Sequence, residues 1–449
     1  MGGQHFLPLT QLERQEMLGA MGAKSVADLF QDIPGEILLQ GPLALPPTLS
    51  ETEVFQHLSS LAAKNKNTRE YVSFLGAGVY DHFIPSVIRH IIGRTEFYTA
   101  YTPYQAEVSQ GVLQSIFEYQ TLICQLTGME VTNASLYDGA TALVEGAVMA
   151  CGITRRSRVL LSRAVNPFYR QVLQSYFNGR SYKVEEIPLQ SGKTDPDQLQ
   201  HSLSEETAAL IVQTPNFFGL LEDLQGVADL LHEQGGLLLV VADPLSLPIF
   251  KTPAEYDADI VVGEGQALGS PSSFGGPLLG FLATREKYLR KLPGRIVGET
   301  VDINGKRGFV LTLQTREQHI RRERATSNIC TNQALNALAA AVYLVTLGPQ
   351  GLREVAGLCL QKAAYAREKI NSLAGYAEAF PGTYFKEFPV CIPGEAPALN
   401  KKLLQSRIIG GLDLSKFYPE LQNTMLLCVT EKRTCAEIDL LVQELEAWR

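Results

Sequence analysis

Between Arg158 and Thr284 the sequence alternates short, unbroken apolar runs with amphipathic stretches, and that rhythm constrains the fold more than any other feature. "RVLLSRA" at 158–164, "YKVEEIPL" at 182–189, "AALIVQT" at 208–214, "GLLLVVAD" at 236–243, "DIVVG" at 259–263 and "PLLGFLAT" at 277–284 each read as a strand. Helices are predicted over 133–151, 167–176, 195–203 and 223–232. A strand buried on both faces loses the polar–apolar alternation of a half-exposed sheet, and parallel neighbours need a helical crossover between them. The pattern therefore predicts an α/β fold whose mostly parallel sheet is covered on both sides. Right-handed crossovers then place ligand-binding groups at the carboxyl ends of the strands.

The flanks read differently. Residues 8–40 hold two short helical patterns, one opening at Thr10 and one at Ser25, each stopped by glycine or proline. A proline-rich connector at 41–47 leads to a helix over 50–63, and nothing in this stretch signals a strand. Beyond the central region, helices are expected at 332–347 and 351–373. A strand near 385–391, a helix at 397–406, a strand at 425–431 and a helix at 433–447 follow. The expected organisation is an N-terminal helical arm (1–70), a large α/β domain (71–330) and linking helices with a small C-terminal α/β domain (331–449). A chain of 449 residues has room for two or three cores.

Composition narrows the function classes. Apolar residues make up 45% and charged residues 19%, which describes a soluble protein with extensive buried surface. The formal charge of -8 argues against a nucleic-acid partner, since such binding needs a cationic face to displace counterions. Seven scattered cysteines form no C-x2-C pair and read as free thiols in a reducing compartment, with no metal site. Met1 to Thr10 shows no basic region followed by an apolar run, and the apolar stretch 235–250 is broken by Asp243 and two prolines. The resulting expectation is a cytoplasmic protein without a membrane partner.

Five segments carry possible chemistry. "EFYTAYTPYQAEVSQG" at 96–111 crowds Tyr98, Tyr101 and Tyr104 among Thr102 and Gln105. Rigid aromatic faces with hydroxyls suit a wall against a small polar substrate, and equally a domain-packing loop. A helix is expected to start near Gln105. "NASLYDGATA" at 133–142 sets Ser135 before a small-residue helix whose N-terminus offers donors to an anion, although Asp138 would compete for them. Asp243 ends a central strand, where an acid can hold a ligand or cap a loop. "TREQHIRRERATSN" at 315–328 reads either as a solvated ion-pair face or as a source of Arg316 and His319 for an anionic group. Finally, "DADIVVGEGQALGSPSSFGGPLLG" at 257–280 has the strand–loop–glycine turn in which a Schiff-base lysine usually sits. No lysine lies between Lys251 and Lys287; Gln266 and Ala267 occupy the loop.

"TAYTPYQAEVSQG", "NASLYDGATA", "EGQALG" with "FGGPLLG", and "TREQHIRRERATSNICTNQAL" together resemble the glycine dehydrogenase (decarboxylating) P-protein. The likeness is strongest to the alpha chains of bacteria that divide it into two subunits, and it runs over essentially the whole sequence. It implies the pyridoxal-phosphate-dependent transferase fold type I, aspartate aminotransferase-like, and a place in the glycine cleavage system. In that family the glycine–pyridoxal phosphate aldimine loses CO2, and the aminomethyl group passes to the lipoyl group of H-protein. The lysine belongs to the beta subunit (subunit 2), so pyridoxal phosphate is expected on the partner and none covalently on this chain. An alpha2-beta2 assembly is implied.

Under this resemblance Tyr98, Tyr101, Thr102, Tyr104 and Gln105 are the candidates for a shared active-site wall. Ser135, Asp243, Arg316 and His319 are weaker candidates for cofactor contacts, with Asp243 near the pyridine-binding position. Two other readings stand beside it. A self-sufficient fold-type-I aminotransferase or lyase would need an internal lysine, and a non-catalytic scaffold derived from the fold would need none of these segments.

Overall fold

The chain divides into two compact units, Met1–Asn65 and Lys66–Arg449, and the computed structural model describes residues 8–39, 41 and 43–448 of them. Residues 1–7, on which most of the leader reading falls, lie outside the described residues. In the first unit, helix α1 (Gln11–Ala20) opens on a capping box. The Thr10 hydroxyl accepts from the Glu13 N–H at 3.3 Å, and the Glu13 carboxylate accepts from the Thr10 N–H at 2.7 Å. Helix α2 (Glu51–Ala62) repeats the device with Ser50 and Glu53. Among the described residues of this unit only Leu18 is buried, while Leu12, Ile37 and Phe55 are exposed. Among its described residues this unit therefore has almost no core of its own.

The second unit holds a seven-stranded sheet. Its strands are β1 (Val131–Thr132), β2 (Arg158–Ser162), β3 (Lys183–Ile187), β4 (Thr207–Thr214), β5 (Leu237–Ala242), β6 (Ile260–Glu264) and β7 (Gly280–Thr284), in the order β1-β7-β6-β5-β4-β2-β3. Strands β2 to β6 are parallel, and β7 runs antiparallel to β6 and β1. Successive residues of β5 explain why no polar alternation was visible. Leu238 and Val240 enter one core with Tyr119 and Ile123 of α3 (Gln110–Thr127), while Leu239 and Val241 enter the other with Leu143 and Ala147 of α4 (Gly139–Thr154). A small antiparallel sheet follows, made of β10 (Ala377–Glu378), β11 (Glu387–Cys391), β12 (Leu412–Asp413) and β13 (Thr424–Cys428) in the order β10-β11-β13-β12.

Two stretches depart from the sequence reading, and a third bears it out. Residues 133–138, expected to be helical, are non-helical and bridge Leu136 to Gly280; helix α4 starts only at Gly139, where the Asp138 carboxylate caps it. A hairpin of β8 (Ile296–Val301) and β9 (Arg307–Thr312) follows the strand taken as the last clear one in the large domain. Its glycines and charges mask the strand pattern, and Asp302 closes its turn by accepting from the N–H groups of Asn304 and Lys306. The two expected helices of 332–373 are α5 (Ala334–Asn371), interrupted at Gly348, whose φ of 60° is not helical. By length and composition α5 would also span a membrane, but Ala337, Ala340, Leu344, Ala356 and Cys359 on it are packed into the protein core.

Candidate functional site

The carboxyl ends of β5 and β6 and the N-terminus of α4 converge where an open α/β sheet binds ligands. Immediately after β6 stands Gln266, only 1% exposed. Its carboxamide donates to the carbonyls of Tyr80 (3.0 Å) and Ser270 (2.7 Å) and accepts from the Tyr80 N–H (2.9 Å). The side chain at the loop position where an amine nucleophile would be sought is thus a fully engaged structural amide.

Asp243, one residue beyond β5, pairs with Lys386, whose Nζ lies 2.6 Å from Oδ2. Lys386 arrives from the segment leading into β11 because the chain there packs tightly on 216–220. The Phe385 N–H donates to the Gly219 carbonyl, Leu220 bridges to Tyr384, and Gly219, at φ 81°, leaves room for the Glu387 backbone that any Cβ would overlap. Lys386 is 1% exposed. Burial opposes its charge most strongly, but the Asp243 carboxylate together with the neighbouring Cys428 and Cys359 holds its pKa above the ordinary value. The ammonium also lies 3.6 Å from the Tyr80 ring centroid and 3.2 Å from His82 Nε2.

Beyond His82 the network continues. Its Nδ1 is 2.6 Å from Glu431 Oε2. Burial and the neighbouring Lys386 push the imidazole pKa down, so the neutral ring donates from Nδ1 to Glu431 and accepts from Lys386 at Nε2. Glu431 lies below the ordinary carboxylate range; burial opposes ionisation, but the bonds from His82 and the Phe83 N–H prevail. His82, Cys359 and Glu431 have ligand atoms within 4.8 Å of one another. With Lys386 on His82 and Lys362 on the Glu431 carbonyl, this is a hydrogen-bonded relay flanked by two cations.

The N-terminus of α4 is engaged as well. Glu264 Oε2 accepts from the Gly139 N–H at 2.9 Å, and Oε1 accepts from the N–H groups of Gln266 and Leu279. Burial pushes its carboxyl up to about 7 while these three donors pull the other way. Asp138 takes the Thr141 N–H at 2.7 Å. Glu387 accepts from the Ala77 N–H and the Tyr80 hydroxyl, and burial raises it to about 7. Between Tyr80, Asn166, Tyr169, Asp243 and Glu264 there remains a cavity of about 30 Å³, room for about one water molecule.

The tyrosine segment forms a second group. One helical turn at Thr95–Tyr98 leads into a loop, and the following helix begins at Gln110 after a tight turn at 106–108, not at Gln105. Tyr98 and Tyr101 are 69% and 86% exposed, Gln105 is exposed and Thr102 is half-buried. Tyr98, Tyr101 and Thr102 line a cavity of about 260 Å³ with Asn332, Gln333 and Leu338. Under the loop lies Arg295, whose guanidinium donates to the Tyr104 hydroxyl (3.1 Å), the Cys330 carbonyl (2.6 Å) and Asn332 (3.2 Å), and approaches Glu317. His319 packs edge-on to Tyr104, with centroids 6.2 Å apart. Segments 96–105 and 315–332 are thereby joined. Arg316 donates to the carbonyls of Leu313 and Gly294. The buried Ser135 hydroxyl accepts from Asn332 and the Gln333 N–H.

Arg295 and Lys386 were not singled out from the sequence. The available signal was a charge set against an apolar run: Lys386 in "YFKEFPV" and Arg295 at the start of "RIVG" cannot both face solvent if those runs are buried, so each needs an acid or a set of carbonyls.

The glycine cleavage system P-protein family model matches residues 4–445. Among similar proteins, the probable glycine dehydrogenase (decarboxylating) subunit 1 of Desulforamulus reducens is 54% identical over 443 residues, 98% of this chain and 99% of the relative. The protein of the same description from Carboxydothermus hydrogenoformans is 56% identical over 440 residues, again 98% and 99%. A crystal structure of glycine decarboxylase (P-protein) of the glycine cleavage system, in inhibitor-bound form, superposes with a TM-score of 0.90 at 45% identity, covering 99% of this chain and 100% of that one. A sphingosine-1-phosphate lyase from Burkholderia pseudomallei matches at TM-score 0.65 and 13% identity, covering 91% and 92%, and shares the fold alone.

Proposed function

The chain belongs to the glycine cleavage system P-protein family, and from that membership we propose that it is the lysine-less subunit of a heteromeric glycine dehydrogenase, working with a lysine-bearing beta subunit to decarboxylate glycine. One observation carries this reading: Gln266, buried and hydrogen-bonded on both its amide atoms, stands where the fold would present a nucleophilic amine. Pyridoxal phosphate is held by the partner. The aminomethyl group passes to the lipoyl group of H-protein, the assembly is alpha2-beta2, and the enzyme works in the cytoplasm.

What remains for this chain is to wall and position the site. Decarboxylation is favoured when the bond to the carboxylate stands perpendicular to the conjugated cofactor plane, and orientation of this kind contributes several kcal/mol to catalysis in general. Tyr98, Tyr101, Thr102, Tyr104 and Gln105 form the wall. Their hydroxyls and amide are weak donors, and this suits a carboxylate that leaves as neutral CO2; a tight guanidinium clamp would stabilise the ground state and slow its departure. Arg295 in this account is a positioning residue, holding Tyr104 from beneath.

The test is made in the assembled enzyme. Tyr101→Phe and Gln105→Ala should each lower glycine–bicarbonate exchange while leaving assembly with the partner intact. Unchanged exchange in both variants would remove these residues from the wall.

A further inference from the structure

We infer that the cofactor cleft of this chain is closed by its own charged side chains, Lys386 standing on Asp243 in place of a pyridinium and Glu264 standing on the α4 N-terminus in place of a phosphate. This rests on the reading that the partner holds the cofactor, and adds what has become of the corresponding cleft here.

Pyridoxal phosphate asks three things of a site: an acid for the ring nitrogen, backbone donors for the phosphate, and an amine for the aldehyde. The first two are present, but each is occupied. Asp243 already has a cation 2.6 Å away, supplied by Lys386 from the segment leading into β11. That ammonium also faces the Tyr80 ring at 3.6 Å and bonds His82, so it is held from three sides. The Gly139 N–H, the first donor of α4, is taken by Glu264, and the Thr141 N–H by Asp138. A phosphate entering there would meet two carboxylates instead of free donors.

The same side chains also leave little room. About 30 Å³ is left beside Asp243 and Glu264, an order of magnitude below the ~300 Å³ or more that cofactor sites enclose. Gln266 closes the third requirement, since its carboxamide ties the loop to Tyr80 and Ser270 rather than pointing a reactive group inward. The residues do not fit the cofactor, and they replace its structural work. In this chain the Asp243–Lys386 pair, not a prosthetic group, bridges the main sheet to the segment leading into β11.

Lys386 is also excluded as a substitute nucleophile. An amine attacks an aldehyde only when unprotonated; this one is a buried cation on a carboxylate, and its pKa is raised rather than lowered.

The experiment uses the full-length chain, alone and with its partner. Each form is incubated with pyridoxal phosphate and reduced with borohydride, and the pyridoxyl-lysine adduct is mapped by mass spectrometry on each chain. Gln266→Lys alone should gain no adduct. Gln266→Lys combined with Lys386→Ala and Glu264→Ala, which removes both charges and their bulk, should take up the cofactor at position 266 at least tenfold more tightly than the single variant. Thermal melts verify that both variants are folded, and Gln266→Lys with Lys386→Ala alone serves if the triple variant is not. A stoichiometric adduct in the single Gln266→Lys chain would overturn the inference while leaving the division of labour intact; so would a folded cleared variant that gains nothing. An adduct on the wild-type chain in the mixture, at Lys386 or elsewhere, would instead sink the reading that the partner holds the cofactor.

Discussion

Asp243→Asn keeps the shape of the side chain and removes its charge, leaving the Lys386 ammonium buried without a counter-charge. Lys386 is 1% exposed as a side chain and Asp243 13%, and the pair is separated by 2.6 Å. Breaking one partner of such a buried pair typically costs about 3–5 kcal/mol. At roughly 2.1 cal/mol/K per residue, the unfolding entropy of a unit of this size is about 0.8 kcal/mol/K, so the midpoint of thermal unfolding should fall by about 4–6 °C. Differential scanning calorimetry of the full chain measures it directly. Because the cost comes from the orphaned charge, Asp243→Asn with Lys386→Met should recover most of the loss, although each residue alone is damaging. A single variant that melts within about 1 °C of the wild type, or a double variant whose loss is the sum of the two singles, would show that the buried charge does not depend on its partner.

Three other perturbations address neighbouring parts of the account. Arg295→Met removes the donors that hold the Tyr104 hydroxyl, the Cys330 carbonyl and Asn332; losing charge-assisted bonds worth about 1.5–3 kcal/mol should accelerate hydrogen exchange in 96–105 by tenfold or more. Glu264 and Glu387 both lie near 7 when folded, above the 4.5 of a free glutamate. The folded chain therefore binds more protons than the unfolded one between those values, and stability falls as pH rises through that window and levels off above it. Glu264→Gln should remove its share, up to about 1.4 kcal/mol per pH unit, in denaturant titrations at pH 5 and pH 7; an unchanged difference between the two would contradict it. Gly219→Ala puts a Cβ into the Glu387 backbone at a φ of 81°, so urea unfolding should show a loss of at least about 2 kcal/mol.

The large-domain sheet was readable because β2 and β4 to β6 are continuous apolar runs, a pattern that only two-sided burial produces. The N-terminal helical segments were readable from the residues that open them, Thr10 and Ser25. The β8–β9 hairpin was not, since its strands mix glycine and charge and half of their side chains face outward. Residues 133–138 misled for a related reason. Small residues suit a helix, yet here they let the backbone bridge Gly280, where a Cβ would strike Asp138. In the candidate site, the tyrosines stood out as a dense local cluster, and the missing lysine as a gap in a known loop. Lys386, Glu431 and Arg295 did not, because their meaning is non-local: each acts through partners tens to hundreds of positions away. A single sequence shows a buried charge only as an oddity in an apolar run, without saying which acid answers it.

Glycine decarboxylation by this chain should require a lysine-bearing partner. Glycine–bicarbonate exchange is measured with the purified chain, the purified partner and their mixture, each with pyridoxal phosphate. Exchange should appear only in the mixture, with the cofactor carried by the partner. Exchange by this chain alone, or a partner equally active without it, would show that the two subunits do not share the reaction.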